Sequence, residues 1–147
     1  MKRRCLLVSL FTLALFCSNL KAQEADSTVI EQVVLNYIEN FFENKVEAMN
    51  KSLHPRLAKR GLNPDRSMSE DFPPETLAKL MSEKRAFPKS AQKNKVLDIK
   101  VFRDSATASL VTGYPSTRWV EYLHLVRQNG EWKIINVFWE FFEKKKP

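Results

Sequence analysis

The sequence predicts an α+β domain in which helices come first and pack on one face of an antiparallel sheet. Three observations predict it. Apolar residues recur at helical spacing from Val29 to Phe42, the period changes to two beyond Lys95, and Asn129-Gly130 joins the last two extended segments. A helical run followed by a strand run belongs to the α+β class, with the helices gathered on one side of the sheet.

The first helix is announced by Thr28-x-x-Glu31, a capping-box pattern that satisfies two free backbone N–H groups. Val29, Ile30, Val33, Val34, Tyr37, Ile38, Phe41 and Phe42 then make a wide apolar stripe, and Asn44 is the predicted stop. A shorter helix is expected over Val46 to Leu53, with Val46, Met49 and Leu53 inward. His54-Pro55 ends it, because the residue before a proline is pushed out of helical geometry. Arg56 to Pro74 is polar and broken by Gly61, Pro64 and Pro73-Pro74, which predicts irregular structure. Pro74 suits a first helical position, so a third helix is expected from Glu75 to about Lys84, with Leu77, Leu80 and Met81 inward.

Four strands are predicted over 95–103, 106–114, 118–128 and 131–142. A two-residue turn at Asn129-Gly130 pairs Gln128 with Glu131 and every opposite residue beyond. One face then carries Arg127/Trp132, Leu125/Ile134, Leu123/Asn136, Glu121/Phe138 and Trp119/Glu140. The other carries Val126/Lys133, His124/Ile135, Tyr122/Val137 and Val120/Trp139. The first face is expected to meet the helices. The second is amphipathic enough to meet a second copy of the chain.

Residues 1–22 read as a signal peptide and 23–147 as a single domain. Lys2-Arg3-Arg4 precedes the apolar run Cys5 to Cys17, which is shorter than the roughly 20 residues of a membrane-spanning helix, and cleavage is expected after Ala22. Phe16 is too bulky for the residue before a lipidated cysteine, which argues against anchoring at Cys17. The expected location is therefore periplasmic or secreted, with no membrane span. Removing Lys2, Arg3, Arg4 and Lys21 leaves 20 basic against 17 acidic residues, a balance of +3, too small and dispersed to predict nucleic-acid binding. Both cysteines leave with the signal, so no disulfide or thiolate chemistry is expected. Two histidines, His54 and His124, offer no metal-ligand spacing, and Gly61, Gly113 and Gly130 form no phosphate loop or dinucleotide fingerprint. Neither a metal nor a cofactor is predicted.

Three stretches carry a resemblance: "LHPRLAKRGL" (Leu53 to Leu62), "RSMSEDF" (Arg66 to Phe72) and "WVEYLHLVRQNGEWKIINVFWE" (Trp119 to Glu140). They resemble the bacterial family labelled putative lumazine-binding, within the nuclear transport factor 2-like, or cystatin-like, superfamily. The similarity runs from about Thr28 to Glu140. It implies a cone in which three helices wrap a strongly curved sheet and enclose a pocket, commonly as a dimer. The superfamily includes ketosteroid-isomerase-like enzymes and dehydratases as well as proteins without chemistry, so the fold does not decide the function.

The pocket candidates are Tyr37, His54, Trp119, Glu121, Asn136 and Phe138. Glu121 and Asn136 fall on the predicted inward face among Trp119, Leu123, Leu125 and Phe138. A carboxyl in apolar surroundings can serve as a base or a neutral donor; the alternative places Glu121 at the rim beside Arg118 or Arg127. Tyr37 would add a phenol from the first helix. His54 would shuttle a proton or touch a ligand, or else bond to backbone at the helix end. Trp119, Trp132 and Trp139 would stack on a flat ring or fill the core. The expected function is binding of a small hydrophobic or aromatic molecule without catalysis, as a homodimer through the outer sheet face. The alternative is an acid–base enzyme of the ketosteroid-isomerase or dehydratase type.

Overall fold

The computed structural model describes residues 24–144, so the expected signal peptide and its cleavage point lie outside the described residues. Helix α1 (24–42) is already helical at its first described residue. Thr28 is therefore not a cap. Its hydroxyl donates back to the Glu24 carbonyl at 3.1 Å, as a threonine inside a helix does. The apolar stripe is otherwise where its spacing puts it: Ile30, Val34, Tyr37, Ile38 and Phe42 are buried, while Val29 at the edge of the stripe is half exposed. Asn44 ends the helix in the left-handed region at φ 59°, which a short polar side chain tolerates.

Helix α2 (Val46–Asn50) is shorter than expected, because Leu53 already belongs to strand β1 (Leu53–Leu62). The predicted loop from Arg56 is thus partly a strand. Proline and three basic residues disguise it, but Leu57, Lys59 and Gly61 alternate inward with exposed or half-buried neighbours. Helix α3 (Pro74–Glu83) follows with Leu77 and Met81 buried and Leu80 at the surface boundary. A short 3-10 turn, Lys89–Ala91, leads into β2 (Lys95–Phe102), β3 (Ser105–Tyr114), β4 (Thr117–Gln128) and β5 (Glu131–Lys144).

These five strands form one sheet in the order β1-β5-β4-β3-β2, antiparallel except where β1 lies parallel to β5. The last hairpin turns at Asn129 and Gly130, both with positive φ, as predicted. Its register follows the prediction only as far as Leu125↔Ile134. Ile135 is then an extra residue, so His124 faces Asn136, Leu123 faces Val137 and Glu121 faces Trp139. A second extra residue, Phe142, puts Arg118 opposite Glu143. Such bulges bend a strand and raise its twist. Here the first one reverses the facing of β5: Val137, Trp139 and Phe141 turn inward, and Asn136 and Phe138 turn out. That resolves the unbroken apolar run in β5. It is two alternations, offset by one residue.

Leu123, Leu125, Ile134 and Val137 meet Ile30, Val34, Ile38 and Met49 in a continuous core, with Leu77 and Met81 supplied by α3. Each branched side chain is essentially sealed from water, and burial of this kind is worth roughly 1.5–3 kcal/mol per side chain. Helices thus cover one face of a curved, mostly antiparallel sheet, as expected apart from the parallel edge strand β1.

Candidate functional site

Beyond that core the cone opens. A cavity of about 520 Å3 lies between the far ends of α1 and α3 and the concave sheet. This is within the range usual for small-molecule sites. Its wall is built from rings. Phe87 stacks on Tyr114 at 4.4 Å with planes 5° apart. Phe42 meets Phe87, Tyr114 and Trp119 edge-on or tilted, and Phe141 bridges Trp119 to Trp139 at 5.8 and 5.2 Å. Edge-to-face contacts let each ring present its positive rim to a neighbour's negative face and hold one another in place. Gly61 makes this possible on β1: a methyl group there would overlap the Trp139 carbonyl and indole.

The buried end of the cavity is polar. Lys59 Nζ donates to Glu121 Oε1 at 2.6 Å and to the Tyr37 hydroxyl at 2.7 Å. Trp119 Nε1 donates to the same carboxylate oxygen at 3.1 Å, and Tyr37 reaches it at 3.4 Å. Glu121 is 1% exposed and Lys59 7%. Removing two such charges from water costs roughly several kcal/mol each, which only good geometry and further hydrogen bonds offset. Oε1 has both. Oε2 is buried without a hydrogen-bond partner among the described residues, and Glu121 lines the cavity. Burial pushes the Lys59 ammonium below its ordinary value, opposed by the attraction of Glu121. Burial first, and Glu121 second, push the Tyr37 phenol well above 10, so it stays protonated as a donor.

The mouth is cationic. Lys84 and Arg85, just past α3, line it together with Leu80. Asn44 fixes Lys84: its amide nitrogen donates to the Lys84 carbonyl at 2.8 Å, and its carbonyl oxygen accepts from Nζ at 2.6 Å. The ammonium also sits 4.5 Å from the centre of the Phe41 ring. Partial burial lowers its pKa to about 8.

Of the sequence candidates, Tyr37, Trp119 and Glu121 come together, with Trp119 and Glu121 lining the cavity and Tyr37 behind the carboxylate. Glu121 pairs with Lys59, not with Arg118 or Arg127. Asn136 and Phe138 are not part of the lining, because the bulge at Ile135 turns them to the outer face, where Asn136 meets His124 at 3.2 Å. His54 is also outside it. It sits at the start of β1, accepts from the Arg56 backbone at 3.0 Å and meets Gln128 at 3.2 Å. Trp132 belongs to the core, its indole donating to Asp26, whereas Trp139 lines the cavity.

Lys59 is the residue that sequence reading missed. The signal for it was the alternation Leu57, Lys59, Gly61, hidden because a lysine at an inward position reads as evidence against a strand. Phe87, from the segment between the third helix and the first predicted strand, was missed for a similar reason: its backbone is tied to α1 by a bond from Phe87 N to the Phe42 carbonyl.

Solved structures share this architecture. An NTF2-like protein of unknown function from Shewanella baltica superposes with a TM-score of 0.72 at 16% identity, covering 82% of this chain and 96% of that one. A ketosteroid isomerase-like protein from Erwinia carotovora gives 0.59 at 14% identity, covering 79% and 95%. The association domain of CaMKII from C. elegans gives 0.59 at 12%, covering 81% and 98%. At these identities the likeness is one of fold. No curated protein matches the chain. Residues 25–140 match the family model described as "Putative lumazine-binding", and with this cavity at the centre of an NTF2-like cone, the chain belongs to that family.

Proposed function

We propose that this protein is exported, with residues 1–22 as its signal, and binds a small planar aromatic molecule in the cavity without transforming it. One observation carries the reading: a cavity of about 520 Å3 is walled by stacked and edge-packed rings and ends on a carboxylate with one oxygen that has no hydrogen-bond partner among the described residues. A flat ring gains contact area on such walls without ordering flexible side chains. A ring N–H would meet Glu121 Oε2. The family description supports a fused heteroaromatic of the lumazine kind. The test is calorimetric titration of the purified domain with lumazine, with Trp119→Ala beside the parent. A saturable heat that weakens in the variant is expected. A parent protein that gives no heat with lumazine or related bicyclic heteroaromatics overturns the reading.

A second reading, as an acid–base enzyme, draws support from the same free carboxylate oxygen and the ketosteroid isomerase-like neighbour. It has lost His54, which lies outside the cavity. Turnover that disappears in Glu121→Gln while binding remains would establish it over the first.

Pairing with a second copy through the outer sheet face belongs to the same proposal. That face presents Tyr122, 54% exposed, beside its cross-strand partner Phe138. The association-domain neighbour supports an assembling role for this architecture. Native mass spectrometry should give a dimer, and Tyr122→Glu a monomer; a monomeric parent overturns this part.

A further inference from the structure

We propose that the cavity selects an aromatic acid: a planar molecule with a carboxylate at one end, held at the mouth by Lys84 and Arg85, and a hydrogen-bond donor at the other, held by Glu121 Oε2. This rests on the ligand-binding reading above and adds the ligand's polarity and its direction of entry.

Some cations elsewhere around the cone have acids of their own, and among those that do not, Lys84 and Arg85 are the two that line the cavity. Lys45 pairs with Glu43, Lys89 with Glu39, Lys133 with Glu131, and Arg127 with Asp26 and Asp104. Neither Lys84 nor Arg85 has a carboxylate within 4 Å among the described residues, although both line the cavity. Lys84 is also not a free surface lysine. The Asn44 amide and the Phe41 ring hold its Nζ at the opening, and its hydrogen bonds there, to Asn44 Oδ1 at 2.6 Å and the Phe42 carbonyl at 3.5 Å, leave one of three ammonium hydrogens for a ligand. Arg85 stands exposed beside it, its guanidinium 5.9 Å from the Phe87 ring centre.

The opposite end has the reverse sign. The buried Glu121 Oε2 can only accept, and an anion placed there would meet a carboxylate. Between the two ends, the phenylalanine rings offer no hydrogen-bond partner and the Trp119 N–H is given to Glu121, so the Tyr114 hydroxyl and the Trp139 N–H are the polar groups left on the ring wall, and neither is charged. The opposite charges of the two ends therefore favour one orientation: donor inward, acid outward. Half-exposed cations at the mouth hold an anion without complete loss of its hydration, which a buried pair would require.

The probes are pterin and pterin-6-carboxylate, which share the ring donors and differ by the acid at the far end. Calorimetry on the parent should show the carboxylate binding about tenfold more tightly, the size of one charge-assisted contact. In Lys84→Met/Arg85→Met the ratio of the two dissociation constants should fall to about one, and Lys84→Arg/Arg85→Lys should keep it, with thermal melts checking that each variant folds. Glu121→Gln should weaken both probes. Equal affinities in the parent, or a ratio that survives loss of both cations, overturn the inference while leaving the pocket reading intact. Glu121→Gln without effect on either probe overturns the donor end. Failure of both probes to bind the parent overturns the inference together with the reading it rests on.

Discussion

The two ends of the sheet use the same strands and are filled differently. Toward the Asn129-Gly130 turn, Leu123, Leu125 and Ile134 interlock with Ile30, Val34 and Met49, and the space closes. Toward the other end, the inward positions of β4 and β5 are Trp119, Glu121, Trp139 and Phe141, and a cavity of about 520 Å3 remains. Branched aliphatic side chains adjust their rotamers to fill gaps at crystal-like density. Rigid rings propped edge to face cannot. A change from aliphatic to aromatic along one strand pair thus converts a core into a binding site, and the buried ion pair marks the boundary.

The sharpest way to break this contrast is at the boundary. Lys59→Met leaves Glu121 buried without its cation and should cost about 3–5 kcal/mol in urea denaturation, whereas adding Glu121→Leu should recover most of it. A double variant as unstable as the single one would mean that the pair holds the cone open by more than charge. At the closed end, Leu125→Ala should cost about 3 kcal/mol through the cavity it leaves, yet leave lumazine affinity unchanged. An affinity loss there would show that the ends are coupled. Gly61→Ala should cost about 1–3 kcal/mol and also weaken ligand binding, because Trp139 must move from the wall.

The smallest effect is at the mouth and is read by pH. Lys84 titrates at about 8 in the folded protein against an ordinary 10.5. Its folded value is the lower one, so the unfolded chain binds more protons between those two values. Stability should therefore rise slightly as pH climbs from about 8 to 10.5. Binding of an anionic ligand runs the other way, since the ammonium is charged below about 8 and is lost above it. Lys84→Met should remove both slopes, as followed by thermal melts and titrations from pH 6 to 10. The groups around Nζ, namely Asn44, the Phe42 carbonyl and the Phe41 ring, do not titrate.

Much of the fold was legible because its signals are local. The stripe of α1, Pro74 at the start of α3, the period-two segments and the Asn129-Gly130 turn each specify geometry within a few residues. The polar candidates Glu121 and Tyr37 were legible for a related reason, since both interrupt an apolar face. Asn136 and Phe138 were misplaced because register was counted outward from the turn, and in Ile134-Ile135 either residue is equally apolar. Nothing local says which of them is the extra one.

The sequence by itself determined the order of elements, the helix-covered face of the sheet and the inward direction of Tyr37, Trp119 and Glu121. Only the tertiary structure decided that Leu53–Leu62 is a strand, that Ile135 bulges and that Lys59 faces inward. The reason is physical. A strand's backbone bonds, a bulge's position and a buried ammonium's charge are all satisfied by partners far away in the chain. β5 supplies the bonds for β1, and Glu121, 62 residues from Lys59, supplies the countercharge.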